Sequence, residues 1–256
     1  MTNTLTNGPG VGLRASGASA LALAVLSCVG LFACGGGSSP TAPTPAPTPT
    51  PTPTAPAGPT FHTVDIGPIA NARESNISSP IGRRTFAGVP FEMGSGQMAA
   101  LVTQHQGHPE YPTEATLALS AGSANVVHLL LTGVYVVSVA PSRTVGDITL
   151  SFADGGALTV PIVSWSTLRE GWRYTDEAAP AMTAPAPPVT WDNVFEQAQT
   201  RAGRPAVGFI DRITIQIPEN LTRVALVSLR VRDTSQTTAQ SVSHGMNVHA
   251  VTLESR

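Results

Sequence analysis

The stretch Asp147-Ile148-Thr149-Leu150-Ser151-Phe152, then Ala153-Asp154-Gly155-Gly156, then Ala157-Leu158-Thr159-Val160-Pro161-Ile162 decides how the folded part of the chain is read. Polar and apolar residues alternate on both sides of an Asp-Gly-Gly turn, so each arm collects its apolar residues on one face. The spacing predicts a β-hairpin with one face buried and the other in water. Pro161 has no N–H to donate to a ladder, which sends the second strand to a sheet edge.

The same period of two returns downstream. Ile213, Ile215 and Ile217 share one face of an alternating run, and Val227, Leu229 and Val231 share another, with Arg230 and Arg232 turned outward. These read as half-buried antiparallel strands. The runs Val126 to Leu131 and Val134 to Val139 are continuously apolar and separated by Thr132-Gly133, which predicts two central strands covered on both faces. A helical stretch is expected over Asp192 to Thr200 with Asp192 as its N-cap. Asp176 to Thr190, rich in Ala and Pro, reads as a long loop. Short strands with turn signals between them make the region from Phe61 to Arg256 all-β, an antiparallel β-sandwich or barrel.

Upstream the composition changes twice. Ala18 to Ala33 is almost wholly apolar or small and follows a single charge, Arg14, the basic-then-apolar order of an export signal. The run is shorter than the roughly 20 apolar residues of a comfortable membrane span. It ends in Leu31-Phe32-Ala33-Cys34, followed by Gly35-Gly36-Gly37-Ser38-Ser39. This segment resembles the lipobox of bacterial lipoproteins, in which the leader is cut before the cysteine and that cysteine becomes the lipidated first residue. The resemblance implies a signal peptide over residues 1–33, several acyl groups on Cys34, and a protein anchored in the bacterial cell envelope. Gly35 in place of an Asp points, by the same resemblance, to the outer membrane. Val25-Leu26-Ser27-Cys28 offers a second small-residue–cysteine junction, but the apolar run ends and the Gly/Ser tether begins at Cys34. Cleavage there removes Cys28, the only other cysteine, which excludes a disulfide framework and a cysteine metal site.

Residues 40–60 read PTAPTPAPTPTPTPTAPAGPT and hold nine of the 23 prolines. Such a segment has nothing to bury and is expected as a solvated polyproline II stalk, part of a linker over residues 34–60. At about 3.1 Å per residue it holds the domain at residues 61–256 roughly 60 Å from the membrane. All 14 basic residues are arginine and 16 are Asp or Glu, so neither a basic stripe for nucleic acid nor a lysine nucleophile is present.

Within residues 61–256 the motifs follow a recognisable order: Arg84-Thr85-Phe86-Ala87-Gly88-Val89-Pro90-Phe91-Glu92-Met93, then His128-Leu129-Leu130-Leu131-Thr132-Gly133, then the Asp154-Gly155 hairpin, then Trp165 to Trp172, then Val224 to Val231. This order resembles the galactose-binding-like jelly roll appended to bacterial polysaccharide-processing enzymes. The resemblance implies a two-sheet sandwich whose loops at one end hold a glycan or a calcium ion. The corresponding loops are Ser164 to Asp176 and Pro188 to Asn193, which carry Trp165, Trp172, Tyr174 and Trp191. Aromatic faces stack on sugar rings while charged side chains bond hydroxyls, which makes Trp172, Arg173, Tyr174, Trp191 and Asp192 the candidate ligand-binding residues, with Arg169, Glu170 and Asp176 beside them. Trp165 is expected to plug the end of the core instead.

His105-Gln106-Gly107-His108 with Glu110 has the residue types of a metal cluster, but zinc needs three or four converging ligands and the segment reads as a solvated loop. His244 and His249 flank Gly245 near the chain end, where folding can bring either to that loop. No Gly-x-Ser-x-Gly, His-Glu-x-x-His or phosphate loop occurs. The expectation is a non-catalytic, membrane-tethered β-sandwich that binds carbohydrate or a surface partner, without a cofactor other than calcium. A polysaccharide hydrolase or lyase, and a structural subunit of an envelope assembly, are the alternatives.

Overall fold

In the computed structural model the stretch from Thr144 to Val163 is the expected hairpin. Its strands pair antiparallel from Thr144↔Val163 to Ser151↔Ala157. The turn is closed by Gly155 N–H donating to the Phe152 carbonyl at 3.0 Å and Gly156 N–H to the Asp154 carboxylate at 2.8 Å. Ile148, Leu150, Phe152, Val160 and Ile162 all face the core.

The structure describes residues 58–72, 81–94, 100–105, 108, 110–120, 122–136, 139–178, 180–234 and 244–256. The leader, Cys34 and the stalk up to residue 57 lie outside them. The described residues fall in one compact unit. In chain order its strands are β1 (Thr60–Val64), β2 (Gly82–Phe86), β3 (Val89–Met93), β4 (Leu101–Val102), β5 (Glu114–Ala118), β6 (Val126–Val134), β7 (Thr144–Phe152), β8 (Ala157–Val163), β9 (Trp172–Tyr174), β10 (Val189–Arg201), β11 (Arg204–Gln216), β12 (Leu226–Asp233) and β13 (Gly245–Ser255). A seven-stranded sheet runs β1-β13-β6-β11-β10, with β4 on β13 and β9 on β11; a four-stranded sheet runs β5-β12-β7-β8. The pairings between these strands are antiparallel, and the two sheets bury one core between them. Leu129, Leu131, Ile213, Ile215, Val251 and Leu253 meet Leu117, Ile148, Leu150, Ile162, Leu229 and Val231 there. The fold is an antiparallel β-sandwich, and β8, the strand with Pro161, is an edge as the sequence predicts.

The β2–β3 hairpin lies across the outer face of the large sheet. Val89, Phe91 and Met93 pack on Leu130, Ile210 and Ala250. Thr252 donates to the Pro90 carbonyl at 2.6 Å and Arg212 reaches the Phe86 and Ala87 carbonyls at 3.5 and 3.4 Å. β6 is thereby covered on both faces, which is why it reads as a continuous apolar run.

Four expectations change. Asp192 to Thr200 is not a helix but part of β10, a 13-residue strand paired along its length with β11. Asp192 caps nothing; its carboxylate takes two bonds from Arg212, at 3.0 and 2.9 Å. Ladder pairing with β11, which follows directly through the Ala202-Gly203 turn, overrides the helix propensity of Glu196, Gln197, Ala198 and Gln199. Thr132-Gly133 does not separate two strands but belongs to β6, and the chain leaves the sheet at Tyr135, whose φ is +60°. Val137 and Ser138 lie outside the described residues. Val227 is 40% exposed because a bulge between Leu226 and Ser228 adds a residue, so only Leu229 and Val231 of that trio face the core. Trp172 to Tyr174 and Val189 to Asn193 are strand residues rather than loops.

Ile213 is fully buried at the centre of the larger sheet's core face. Ile213→Ala is expected to lower unfolding stability by about 2–5 kcal/mol in a denaturant titration.

Candidate functional site

The tryptophan-bearing segment owes its position to two glycines. After β8 the chain makes a tight turn at Trp165, with φ of +58° and the Trp165 N–H donating to the Leu168 carbonyl at 2.7 Å. Trp165 is 3% exposed and plugs the core, its indole N–H reaching the Val139 carbonyl at 3.3 Å. The chain then crosses the end of β6: Gly133 N–H donates to the Arg169 carbonyl at 2.9 Å, and Gly171 N–H to the Gly133 carbonyl at 2.8 Å. A side chain at Gly133 would collide with Val136 and the Arg169 carbonyl, and one at Gly171 would press on the Gly133 carbonyl at 3.1 Å. Phe209 N–H donates to the Gly171 carbonyl at 2.7 Å, and the chain enters β9 alongside Ala206, Val207 and Gly208.

β6 covers β11 only from Asp211 to Gln216. Beyond that the β10–β11 hairpin continues as an arm, backed by β9 and turned by Ala202-Gly203 with φ of +49° and +77°. Every arginine–aromatic stack among the described residues lies on this arm. On the face that continues the core, Arg169 forms a two-pronged pair with Asp211, both bonds 2.8 Å, and lies 3.9 Å over the Phe209 ring and 5.4 Å from that of Trp191. Asn193 adds a bond to Asp211 at 3.0 Å, and Arg173 approaches Phe209 at 5.8 Å. On the other face Trp172 and Tyr174 meet edge to face at 5.1 Å, with Arg201 4.5 Å over Trp172 and Arg204 3.8 Å over Tyr174. Arg204 is also tied to Asp176 at 2.8 Å and Glu177 at 3.2 Å.

The candidate residues therefore divide. Trp172 and Tyr174 share the outer face of the arm. Arg173, next to both in sequence, points to the opposite face, as strand alternation requires. Trp191 lies with Arg169 on that opposite face, its buried indole N–H without a hydrogen-bond partner. Asp192 is on the outer face but bonded to Arg212, under the β2–β3 hairpin. Arg201, Arg204 and Gln199 join Trp172 and Tyr174 instead. Ala202-Gly203 is the signal that finds them, since it marks a two-residue hairpin between Arg201 and Arg204.

Two polar groups of residues lie elsewhere. His105, expected in a solvated loop, is buried: its ring meets His108 at 5.0 Å, Tyr111 at 5.8 Å and Tyr135 at 5.8 Å. His108 stacks on Tyr111 and bonds Glu110 at 2.8 Å. Among the described residues no three His, Cys, Asp or Glu side chains converge to hold a metal. Gly245 packs against His105, while His249 sits inside the sheet, bonded to Thr132 at 2.9 Å. Under Phe61, His128 bridges Thr214 at 3.0 Å and Glu254 at 3.1 Å. Burial holds the His128 imidazole below its ordinary value against the pull of Glu254. Burial pushes Glu254 up, but hydrogen bonds from Arg256 and His128 more than reverse this.

Comparison with protein families, with curated proteins and with solved structures gives no match. The fold and the arm thus define the class directly: an antiparallel β-sandwich carrying an arginine–aromatic arm.

Burial lowers His249 from 6.5 to about 4, and it lowers His244 and His128 in the same direction. The fold accommodates the neutral rings, whereas the unfolded chain takes up protons near pH 6.5. The stability these groups contribute is therefore complete above that pH and is lost as pH falls toward the folded value. His249 alone is expected to remove about 2 kcal/mol between pH 7.5 and pH 5. Denaturant titrations at the two pH values measure this, and His249→Gln is expected to flatten the difference.

Proposed function

We propose that the protein is a lipid-anchored lipoprotein of the bacterial envelope whose β-sandwich head binds carbohydrate through the outer face of the arm. The observation that carries the binding reading is the Trp172–Tyr174 pair, held edge to face and fixed by Arg201 and Arg204. Rigid aromatic rings lose little conformational entropy when they meet a sugar, and guanidinium donors beside them match its oxygens. The reading is non-catalytic: Asp176, Glu177, Asp192 and Asp211 are each engaged by an arginine. The anchor reading rests on Leu31-Phe32-Ala33-Cys34 and the tether after it. A head carried on a Pro/Thr stalk samples ligands away from the lipid surface.

A second reading, a subunit of an envelope assembly, is favoured by one observation. β10, 13 residues long, is the outermost strand of its sheet, and among the described residues no strand pairs with its outer edge. Such an edge accepts a strand from a partner.

A glycan array probed with the full chain in detergent, with and without calcium, tests the first reading. Selective binding is expected, reduced about 30-fold by Trp172→Ala with Tyr174→Ala, the loss of one aromatic hot spot of about 2 kcal/mol. Absence of binding under both conditions refutes it. Cys34→Ser is expected to move the protein from the membrane to the soluble fraction and to abolish palmitate labelling.

A further inference from the structure

We infer that the protein dimerises through the outer edge of β10, where the stretch from Phe195 to Arg201 pairs antiparallel with the same stretch of a second copy about a two-fold axis at Ala198. The inference rests on the assembly reading above and names its partner; it stands apart from the carbohydrate reading.

The strands that end the two sheets are not equivalent. β1 and β5 are five residues long and β8 carries Pro161, features that shorten or interrupt a sheet edge. β10 has 13 residues, and from Phe195 to Arg201 it contains no proline, lysine or glycine. Its ladder to β11 is regular over this stretch, because the bulge falls between Asn193 and Phe195 and the turn begins at Ala202. Among the described residues no backbone group outside β11 bonds to it. The stretch also lies beyond the end of β6, which reaches β11 only as far as Asp211, the partner of Asn193. A strand can therefore approach the arm without meeting the sandwich, and antiparallel pairing carries the second sandwich away past the tip.

Any extended chain can add to an open edge; what selects a second copy is a register that matches itself. A two-fold axis perpendicular to the sheet pairs residues at equal distances on either side of it and keeps them on one face. Ala198 is the midpoint between bulge and turn. With the axis there, Ala198 faces Ala198, Gln197 faces Gln199, Glu196 faces Thr200 and Phe195 faces Arg201, so no charge meets its like. An axis at Gln197 runs the pairing into the bulge, and one at Gln199 runs it into the turn. An axis at Glu196 sets two carboxylates opposite each other. Glu196, Ala198 and Thr200 are all exposed, and the smallest of them sits where the two chains cross. The same axis leaves both Trp172 and Tyr174 pairs on one side of a continuous sheet. The two β9 strands then lie five strand spacings apart, about 24 Å.

The test uses the full chain in detergent and membranes of cells that carry it. Sedimentation is expected to show a reversible monomer and dimer equilibrium. Ala198→Asp sets two carboxylates opposite each other and diagonal to both Glu196 side chains, and is expected to weaken the dimer at least about tenfold. Mixing it with Ala198→Lys is expected to restore a mixed dimer. Thermal melts establish that each variant is folded. Opposed Cα atoms of an antiparallel pair lie about 4.5–5.5 Å apart, within disulfide reach. Ala198→Cys is therefore expected to give a disulfide-linked dimer on mild oxidation, and Thr190→Cys and the parent chain are not. A chain that stays monomeric at every concentration, or a dimer indifferent to Ala198→Asp and not linked through Ala198→Cys, overturns the inference. In membranes, a thiol-reactive photo-crosslinker on Ala198→Cys is expected to yield a product of twice the chain's mass. A product of any other mass overturns the self-pairing and leaves the assembly reading intact, and no product at all overturns both.

Discussion

At the point where the β10–β11 arm leaves β6, a buried ion pair fastens the segment before β9 to β11. Arg169 donates two 2.8 Å bonds to the Asp211 carboxylate, with side chains 16% and 4% exposed. The Arg169 carbonyl accepts from Gly133, and the chain that follows makes Gly171 a bridge between β6 and β11. β9 takes its register from that bridge, and Trp172 and Tyr174 take theirs from β9. Removing one partner of such a pair leaves an uncompensated charge and costs about 3–5 kcal/mol. Asn193 and the Phe209 face supply the additional contacts that make this burial tolerable.

The molecule uses two kinds of cohesion. Between the sheets, alternating aliphatic residues bury one continuous apolar core. The arm extends beyond that core, and arginine–aromatic stacks on both of its faces take the place of aliphatic packing. Each stack contributes about 0.5–1 kcal/mol where exposed and more where desolvated. Arginine suits this position because its stem covers apolar surface while its planar head stays hydrated. In the proposed function, the side chains that support the arm are also the ones that would meet the ligand.

Much of the sandwich was legible because its strands carry a strict period. The β7–β8 hairpin announces itself through alternation and an Asp-Gly-Gly turn, and Ile213, Ile215 and Ile217 through spacing alone. The misreadings arise where that period is broken. The bulge between Asn193 and Phe195 interrupts alternation in β10, and the Glu-Gln-Ala-Gln run after it has helical propensity. Gly133 looks like a turn residue because sequence does not reveal the Arg169 carbonyl that packs on it. The aromatic half of the site was legible in the Trp172-Arg173-Tyr174 triplet. Its partners Arg201 and Arg204 were hidden by the helix assignment, and Arg173 and Trp191 fall on the opposite face once β9 and β10 are strands. Leu31 to Cys34 and most of the stalk lie outside the described residues.

The most direct test of the role given to the Arg169–Asp211 pair is amide hydrogen exchange in Asp211→Asn, which keeps the side-chain shape and removes the charge. Protection is expected to fall more than about tenfold at Gly133, Gly171 and Phe209 while the amides of β7 keep theirs, as a local opening requires. Unchanged protection at Gly171 and Phe209 would contradict the account, since the arm would then be held by something other than this pair.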